Sequence, residues 1–247
     1  MPRPGLLILA PPRTGSTALA RCFWQHPDFG WYVHEPFDLV FHHGAPERHA
    51  RETLAAPQRV SDSATGGVVI KEMTFQVTVP AQLDVLLEHA NLPVLIPLRD
   101  PRLAIWSRMK QLADSQQRRE FSRAQAGWRP LLDAIRHLQG RGFPHVSIDM
   151  HEVREDPERG LARVCRQLGI MEHAMGQWAS TSVDAVGQLG DEQAAWYRQV
   201  LTTDQLLPET AGPPDINAFP PSMRSIVEEA VAIYEGVTSH THDLETT

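Results

Sequence analysis

The amino-acid sequence predicts an α/β protein: a mainly parallel central sheet with helices on both faces, followed by a helical extension at the C-terminal end. Three observations predict it. The run LLILA at 6–10 is apolar without alternation, as a strand buried on both faces must be. Further strand-like runs at 31–33, 68–71, within 92–100 and at 145–150 alternate with helical patterns, the signature of βαβ units. Beyond Met171 the strand signals stop and only helical patches recur.

Taken in order, the first strand gives way to a polar turn and a helical pattern over 16–26, closed by Pro27 and Gly30. The strand at 31–33 stops at HEPF, a short helix is expected over 48–56, and SDSATGG is a loop before the strand at 68–71. A helix over 80–90 leads to the strand inside LPVLIPLRD. Asp100 is placed to cap a helix over 101–112, and Pro101 takes the favoured first-turn position. The helical pattern over 119–139 contains Gly127 and Pro130, which break or kink it. HVSIDM reads as a strand, and Asp156-Pro157 opens another capped helix. Helices over 191–201 and 221–236, separated by a loop rich in Pro and Gly, precede a frayed tail. With no repeat or low-complexity linker, a single domain is expected over 1–247, its core about 5–170 and its helical extension about 171–240.

Composition narrows the function classes. The 30 acidic residues outnumber 23 basic ones, for a formal net charge of -7, which argues against a general nucleic-acid binder. Cys22 and Cys165 lie in apolar helical patterns without disulfide or metal-type spacing, so they read as buried thiols in a reducing compartment. The apolar run at 6–10 is too short for a secretory leader, and no run approaches the ~18–20 residues that span a bilayer. A soluble, cytoplasmic protein is expected.

The chemistry starts at Ala10-Pro-Pro-Arg-Thr-Gly15-Ser16-Thr17. A strand, a tight turn and a helix together present backbone N–H groups and the positive end of a helix dipole to an anion. Against the nucleotide-hydrolase pattern GxxxxGK[ST], the glycine before the helix and the final threonine are kept, but Ser16 stands where the lysine belongs. The cation is Arg13, inside the turn. PPRTGST resembles the 5′-phosphosulfate loop of the sulfotransferase family, whose members share the three-layer P-loop-type fold of nucleotide kinases. The resemblance implies transfer of a sulfuryl group from 3′-phosphoadenosine 5′-phosphosulfate (PAPS), leaving 3′-phosphoadenosine 5′-phosphate (PAP), with no metal required. By it, Arg13 meets the 5′-phosphate and the bridging oxygen, while Thr14, Gly15, Ser16 and Thr17 supply backbone and hydroxyl donors.

A second motif stands at the matching distance. In LIPLRDPRLAIWSRMKQ, Arg99 ends a strand and Ser107 follows in the second turn of the next helix. In the family, an arginine and a serine so spaced grip the 3′-phosphate. A guanidinium fork suits a phosphate dianion, and a hydroxyl adds one donor. Alternatives stay open: an ion pair of Arg99 with Asp100 or another carboxylate, and Arg102 and Arg108 as either phosphate ligands or solvated helix charges.

Transfer to an alcohol needs a base near the carboxyl ends of the strands. YVHEPFD offers His34 and Glu35, and VVIKEMTF offers Lys71 and Glu72. HEPF resembles small bacterial sulfotransferases in which a glutamate after the second strand is the base, which favours Glu35. His34 has the better intrinsic pKa, and Glu72 is a third candidate. Lys71 either supports the transferring group or is a salt-bridged edge residue. His42, His43 and His49 read as a solvated loop near the acceptor, since Gly44 and Pro46 break any helix there. QQRRE at 116–120 reads as a mobile lid, and 187–203 lies where such enzymes cover the donor. The expected partner is a small-molecule hydroxyl acceptor, such as a metabolite, lipid or natural product, with no nucleic acid and no membrane span; a homodimer is compatible with this. The rival readings are a kinase-type phosphotransferase on the same fold and a non-catalytic nucleotide binder.

Overall fold

Strand β1 (Gly5–Ala10) is buried along its whole length. Its parallel neighbours are β4 (Gly67–Met73) and β5 (Val94–Leu98). β2 (Phe29–His34) pairs in parallel with the far edge of β4, and β6 (His145–Asp149) with the far edge of β5. A two-residue strand β3 (Gln58–Arg59) pairs antiparallel with β2, so the order is β3-β2-β4-β1-β5-β6. β3 is a Gln-Arg pair with no apolar signal, which is why the sequence pattern passes over it. The computed structural model describes residues 3–62, 66–114, 120–178, 197, 200 and 202–245.

The period of two along β1 divides the core into two layers. Leu7 and Leu9 face a cluster completed by α3 (Arg48–Ala55), α4 (Pro80–Leu87), α5 (Pro101–Asp114) and α6 (Trp128–Gly140). Leu6 and Ile8 face the opposite cluster, with α1 (Ser16–Trp24) and α8 (Pro157–Leu168). The expected C-terminal helix extends to Glu245 as α9 (Pro221–Glu245) and belongs to the first layer. Its Met223, Val227, Ala230 and Ile233 recur at helical spacing and are buried in that core. Cys22 and Cys165 are buried free thiols.

Several expectations need correction. The histidine segment is not a loop: α2 (Asp38–His43) forms and ends at Gly44, which takes the left-handed C-cap conformation. Met150 leaves the expected strand and opens α7 (Met150–Glu155), with Asp149 as its N-cap. Gly127 and Pro130 do not kink a long helix; they start one. Gly127 caps α6 at φ 83°, and Pro130 sits in the first turn, where its missing N–H costs nothing. A side chain at Gly127 is impossible as packed, because its Cβ would stand 2.5 Å from Pro12 Cδ and 2.9 Å from Thr74 Oγ1. The start of α6 is therefore locked against the phosphate-type turn. Most of the helix expected over 191–201, all of the lid at 116–120 but Glu120, and most of 187–203 lie outside the described residues. No helix among the described residues is long and apolar enough to cross a membrane.

Candidate active site

A cleft of about 1300 Å³ opens at the carboxyl end of the sheet. The turn after β1 forms one wall. Gly15 caps α1 at φ 91°, and no side chain caps that helix, so its first N–H groups face whatever the cleft holds. Arg13 holds φ 65°, a left-handed conformation that is strained for a side chain of this size. The two sequence motifs meet here. Arg13 Nε donates to Ser107 Oγ at 3.2 Å, and Arg99 Nη1 donates to the Arg13 carbonyl at 2.9 Å. Arg13, Gly15, Ser16, Thr17, Arg99 and Ser107 all line the cleft. Thr14 is not among the lining residues; it is fully buried, and its hydroxyl donates to the Pro11 carbonyl at 3.0 Å, closing the turn. Arg99 does not pair with Asp100, whose carboxylate takes Arg102 instead.

Burial lowers the pKa of Arg13, and the neighbouring charges of Arg99 and Arg154 add to this. Three guanidiniums thus converge on one end of the cleft. Arg99 Nη2 lies 2.5 Å from Glu209 Oε2, and Arg154 Nη1 lies 3.4 Å from the same oxygen.

The opposite wall holds the base candidates. In the paired register His34, the last residue of β2, lies beside Lys71, two residues before the end of β4. Glu35 follows with φ 41°, the second strained non-glycine residue among those described. Its Oε1 accepts from the Lys71 ammonium and from the Tyr197 hydroxyl at 2.8 Å; its Oε2 accepts from Gln76 Nε2 at 3.0 Å. Burial pushes the Glu35 carboxyl upward, but the Lys71 charge, His34 and the hydrogen bonds from Lys71 and Tyr197 outweigh it and hold it at about 2. Lys71 itself is fully buried on a strand flanked on both sides, not on an edge.

The other two candidates do not line the cleft, although His34 Nε2 lies 3.5 Å from Glu35 Oε1. His34 Nδ1 bonds the Tyr32 hydroxyl at 2.6 Å, and burial lowers its pKa to about 3, which leaves the ring neutral. Glu72 accepts the backbone N–H groups of Phe37 and Met73, each at 2.8 Å, and so pins the turn that aims Glu35. Burial and the Glu35 charge raise its pKa well above the usual range. Of the three, Glu35 alone lines the cleft.

Beyond Glu35 the cleft walls are mixed. Leu39, Phe75, Leu112 and Phe121 line it with Asp38, His42 and His43. Arg108 is no solvated charge: it is buried, its guanidinium 4.7 Å from the ring centroids of both Phe75 and Phe121. No cluster of His, Cys, Asp or Glu able to hold a metal occurs among the described residues.

Local motifs point to Arg13, Arg99, Ser107 and Glu35, but not to Gln76, Tyr197, Arg154 or Glu209. Gln76 lies on a 3-10 turn after β4, and Arg154 on a six-residue helix. Neither carries a pattern that single-chain reading could weigh.

Comparison with known proteins divides by method. No protein-family model matches the chain, and no curated protein matches it by sequence. Solved structures do match. The sulfotransferase domain of the Synechococcus PCC 7002 olefin synthase aligns with a TM-score of 0.56 at 16% identity, covering 96% of this chain and 95% of that one. The sulfotransferase domain of the curacin biosynthetic pathway aligns at 0.54 and 14% identity, covering 93% and 96%. A mouse sulfotransferase complexed with PAP aligns at 0.51 and 14% identity, covering 93% and 84%. The chain therefore has the sulfotransferase fold over nearly its full length.

Proposed function

We propose that the chain acts as a single-domain sulfotransferase that moves a sulfuryl group from PAPS to a hydroxyl of a small-molecule acceptor. One observation carries the reading: Arg13, Arg99 and Ser107, distant in sequence, are joined by direct hydrogen bonds on one wall of the cleft. They make a cationic floor suited to a nucleotide with phosphates at both ends. The glycine cap and uncapped helix start of α1 suit the 5′-phosphosulfate, since an oxygen can approach where a Cβ would intrude. Ser16 in the lysine position leaves the turn without the cation that a γ-phosphate requires.

In this reading the acceptor oxygen attacks sulfur in line. The bond between sulfur and the bridging oxygen breaks, and its electron pair leaves on the 5′-phosphate, beside Arg13. The acceptor proton passes to Glu35. A carboxylate held at about 2 is a weak base toward an alcohol. It becomes adequate as the attacking oxygen loses electron density to sulfur and its proton turns acidic, so transfer occurs late along the displacement. Lys71, Gln76 and Tyr197 fix the carboxylate in position.

The test is donor turnover without magnesium. Release of PAP from PAPS, dependent on an added hydroxyl acceptor and undiminished by a chelator, is expected. Preference for ATP together with magnesium dependence would sink the reading.

A further inference from the structure

Glu209 is the one feature of the cationic wall that a phosphate-binding reading leaves unexplained. A single carboxylate oxygen, Oε2, lies against two guanidiniums, Arg99 at 2.5 Å and Arg154 at 3.4 Å. All three side chains are mostly buried, at 14–17% exposure. The segment carrying Glu209 is anchored just before it. Trp178 N–H donates to the Asp204 carbonyl at 2.7 Å, Trp178 Nε1 to the Thr203 carbonyl at 2.9 Å, and Leu206 is buried in the core. Arg154 is placed from the other side. Its Nη2 lies 2.7 Å from where a Cβ at Gly15 would stand, so the guanidinium rests directly on the turn after β1.

The pairing is unequal. One carboxylate brings a single negative charge and two oxygens to two arginines, and the Nε–H groups of Arg99 and Arg154 are buried without a hydrogen-bond partner. A phosphate dianion brings twice the charge and three terminal oxygens, which two guanidinium forks can share. We infer that Arg154 is a second arginine for a phosphate group of the donor nucleotide, and that Glu209 is an internal anion that the phosphate displaces. This rests on the reading of the cleft as a donor site for a phosphorylated nucleotide. The carboxylate keeps two neighbouring like charges from facing each other alone, and burial together with the Arg99 charge already lowers the Arg154 pKa while Glu209 raises it. Binding of the donor then exchanges one anion for a better one, and the apparent affinity is reduced by the fraction of molecules in which Glu209 holds the site.

The experiment is calorimetry on the full chain with two probes, PAP and inorganic pyrophosphate. Variants Glu209→Gln, Arg154→Lys, Arg154→Gln and the double variant Glu209→Gln/Arg154→Gln are compared, with thermal unfolding to confirm folding. Glu209→Gln is expected to bind both probes about tenfold tighter, because the internal competitor is gone. Arg154→Gln is expected to weaken PAP about tenfold and Arg154→Lys by less, since lysine keeps charge but loses the fork. In the double variant the gain from Glu209→Gln shrinks to about twofold, because one of the two groups the carboxylate occupied has been removed. Unchanged or weaker binding of both probes by Glu209→Gln would make Glu209 a structural strut and overturn the inference. So would wild-type affinity in both Arg154 variants. If the wild type binds no PAP, the donor reading fails on its own; a tighter pyrophosphate affinity in Glu209→Gln would still uphold the exchange of anions, and an unchanged one would end it.

Discussion

The two walls of the cleft solve opposite electrostatic problems. On one, Arg13, Arg99 and Arg154 gather positive charge, with Glu209 bridging two of them. On the other, the Glu35 carboxylate lies against one buried ammonium, Lys71, while burial and the Glu35 charge raise the pKa of the neighbouring Glu72 and favour its neutral form. On the cationic wall a single carboxylate is shared by Arg99 and Arg154, an arrangement that the proposed reading takes as a binding surface for an external anion. On the carboxylate wall Glu35 already accepts from Lys71, Gln76 and Tyr197, which suits the positioned catalytic group of the proposed reading. Substitutions on the first wall are therefore expected to change affinity, and those on the second to change turnover or folding.

The largest expected effect is on turnover. Glu35→Gln should lower the rate of sulfuryl transfer by ~10²–10⁴, the usual range for a lost general base, with PAP affinity retained. Equal loss of PAP affinity would blur the division between the walls. Next is Lys71→Met, which leaves the Glu35 carboxylate buried without its cation. Removing one partner of such a pair costs about 3–5 kcal/mol, and urea unfolding should read it directly. A smaller loss would mean that Tyr197 and Gln76 suffice to hold the charge. Arg99→Ala should weaken PAP by about 10–100-fold, the cost of losing a charge-assisted hydrogen bond or two, and lower stability by about 1–3 kcal/mol, because the Arg13 carbonyl and Glu209 lose a donor. Loss of stability without loss of affinity would make Arg99 a brace for the Arg13 turn.

The smallest effect is a pH slope. His34 in the fold binds its proton only near 3, against an ordinary 6.5, and Glu35 only near 2, against 4.5. Below pH 6.5 the unfolded chain therefore takes up protons that the fold refuses, and stability falls with falling pH. The slope is about 1.4 kcal/mol per pH unit for each proton, from His34 first and then Glu35 below 4.5. Glu72 has the opposite sign, because its raised pKa favours the fold in acid. Unfolding of His34→Gln measured from pH 7 to 5 should lose the upper part of the slope, and an unchanged profile would return the proton uptake to other groups.

The same contrast explains what a linear reading could reach. The cationic wall is written in short consecutive stretches. Arg13 to Thr17 fill one strand-to-helix turn, and Arg99 and Ser107 bracket another, so residue spacing alone reports them. The parallel sheet was legible for a similar reason, since buried strands such as Leu6–Ala10 are uniformly apolar. The carboxylate wall depends on strand register. Lys71 meets His34 because β2 and β4 pair in that register, and Tyr197 reaches Glu35 from a distant segment. Helix α2 escapes a linear reading because Gly44 and Pro46 look like breakers of the whole segment, whereas Gly44 ends a helix already formed. Glu209 was invisible since an acidic residue in a Pro-rich stretch has no pattern until its two arginines are seen.

In the proposed function the cationic wall recognises a nucleotide through a second phosphate beyond the one at the 5′ end. Calorimetric titration of PAP and of adenosine 5′-monophosphate, without magnesium, compares two ligands that differ only in the 3′-phosphate. PAP is expected to bind tighter on the order of 100-fold, because a site built to satisfy a charged group leaves its own donors unpaired when that group is missing. Equal affinity for the two nucleotides would contradict it.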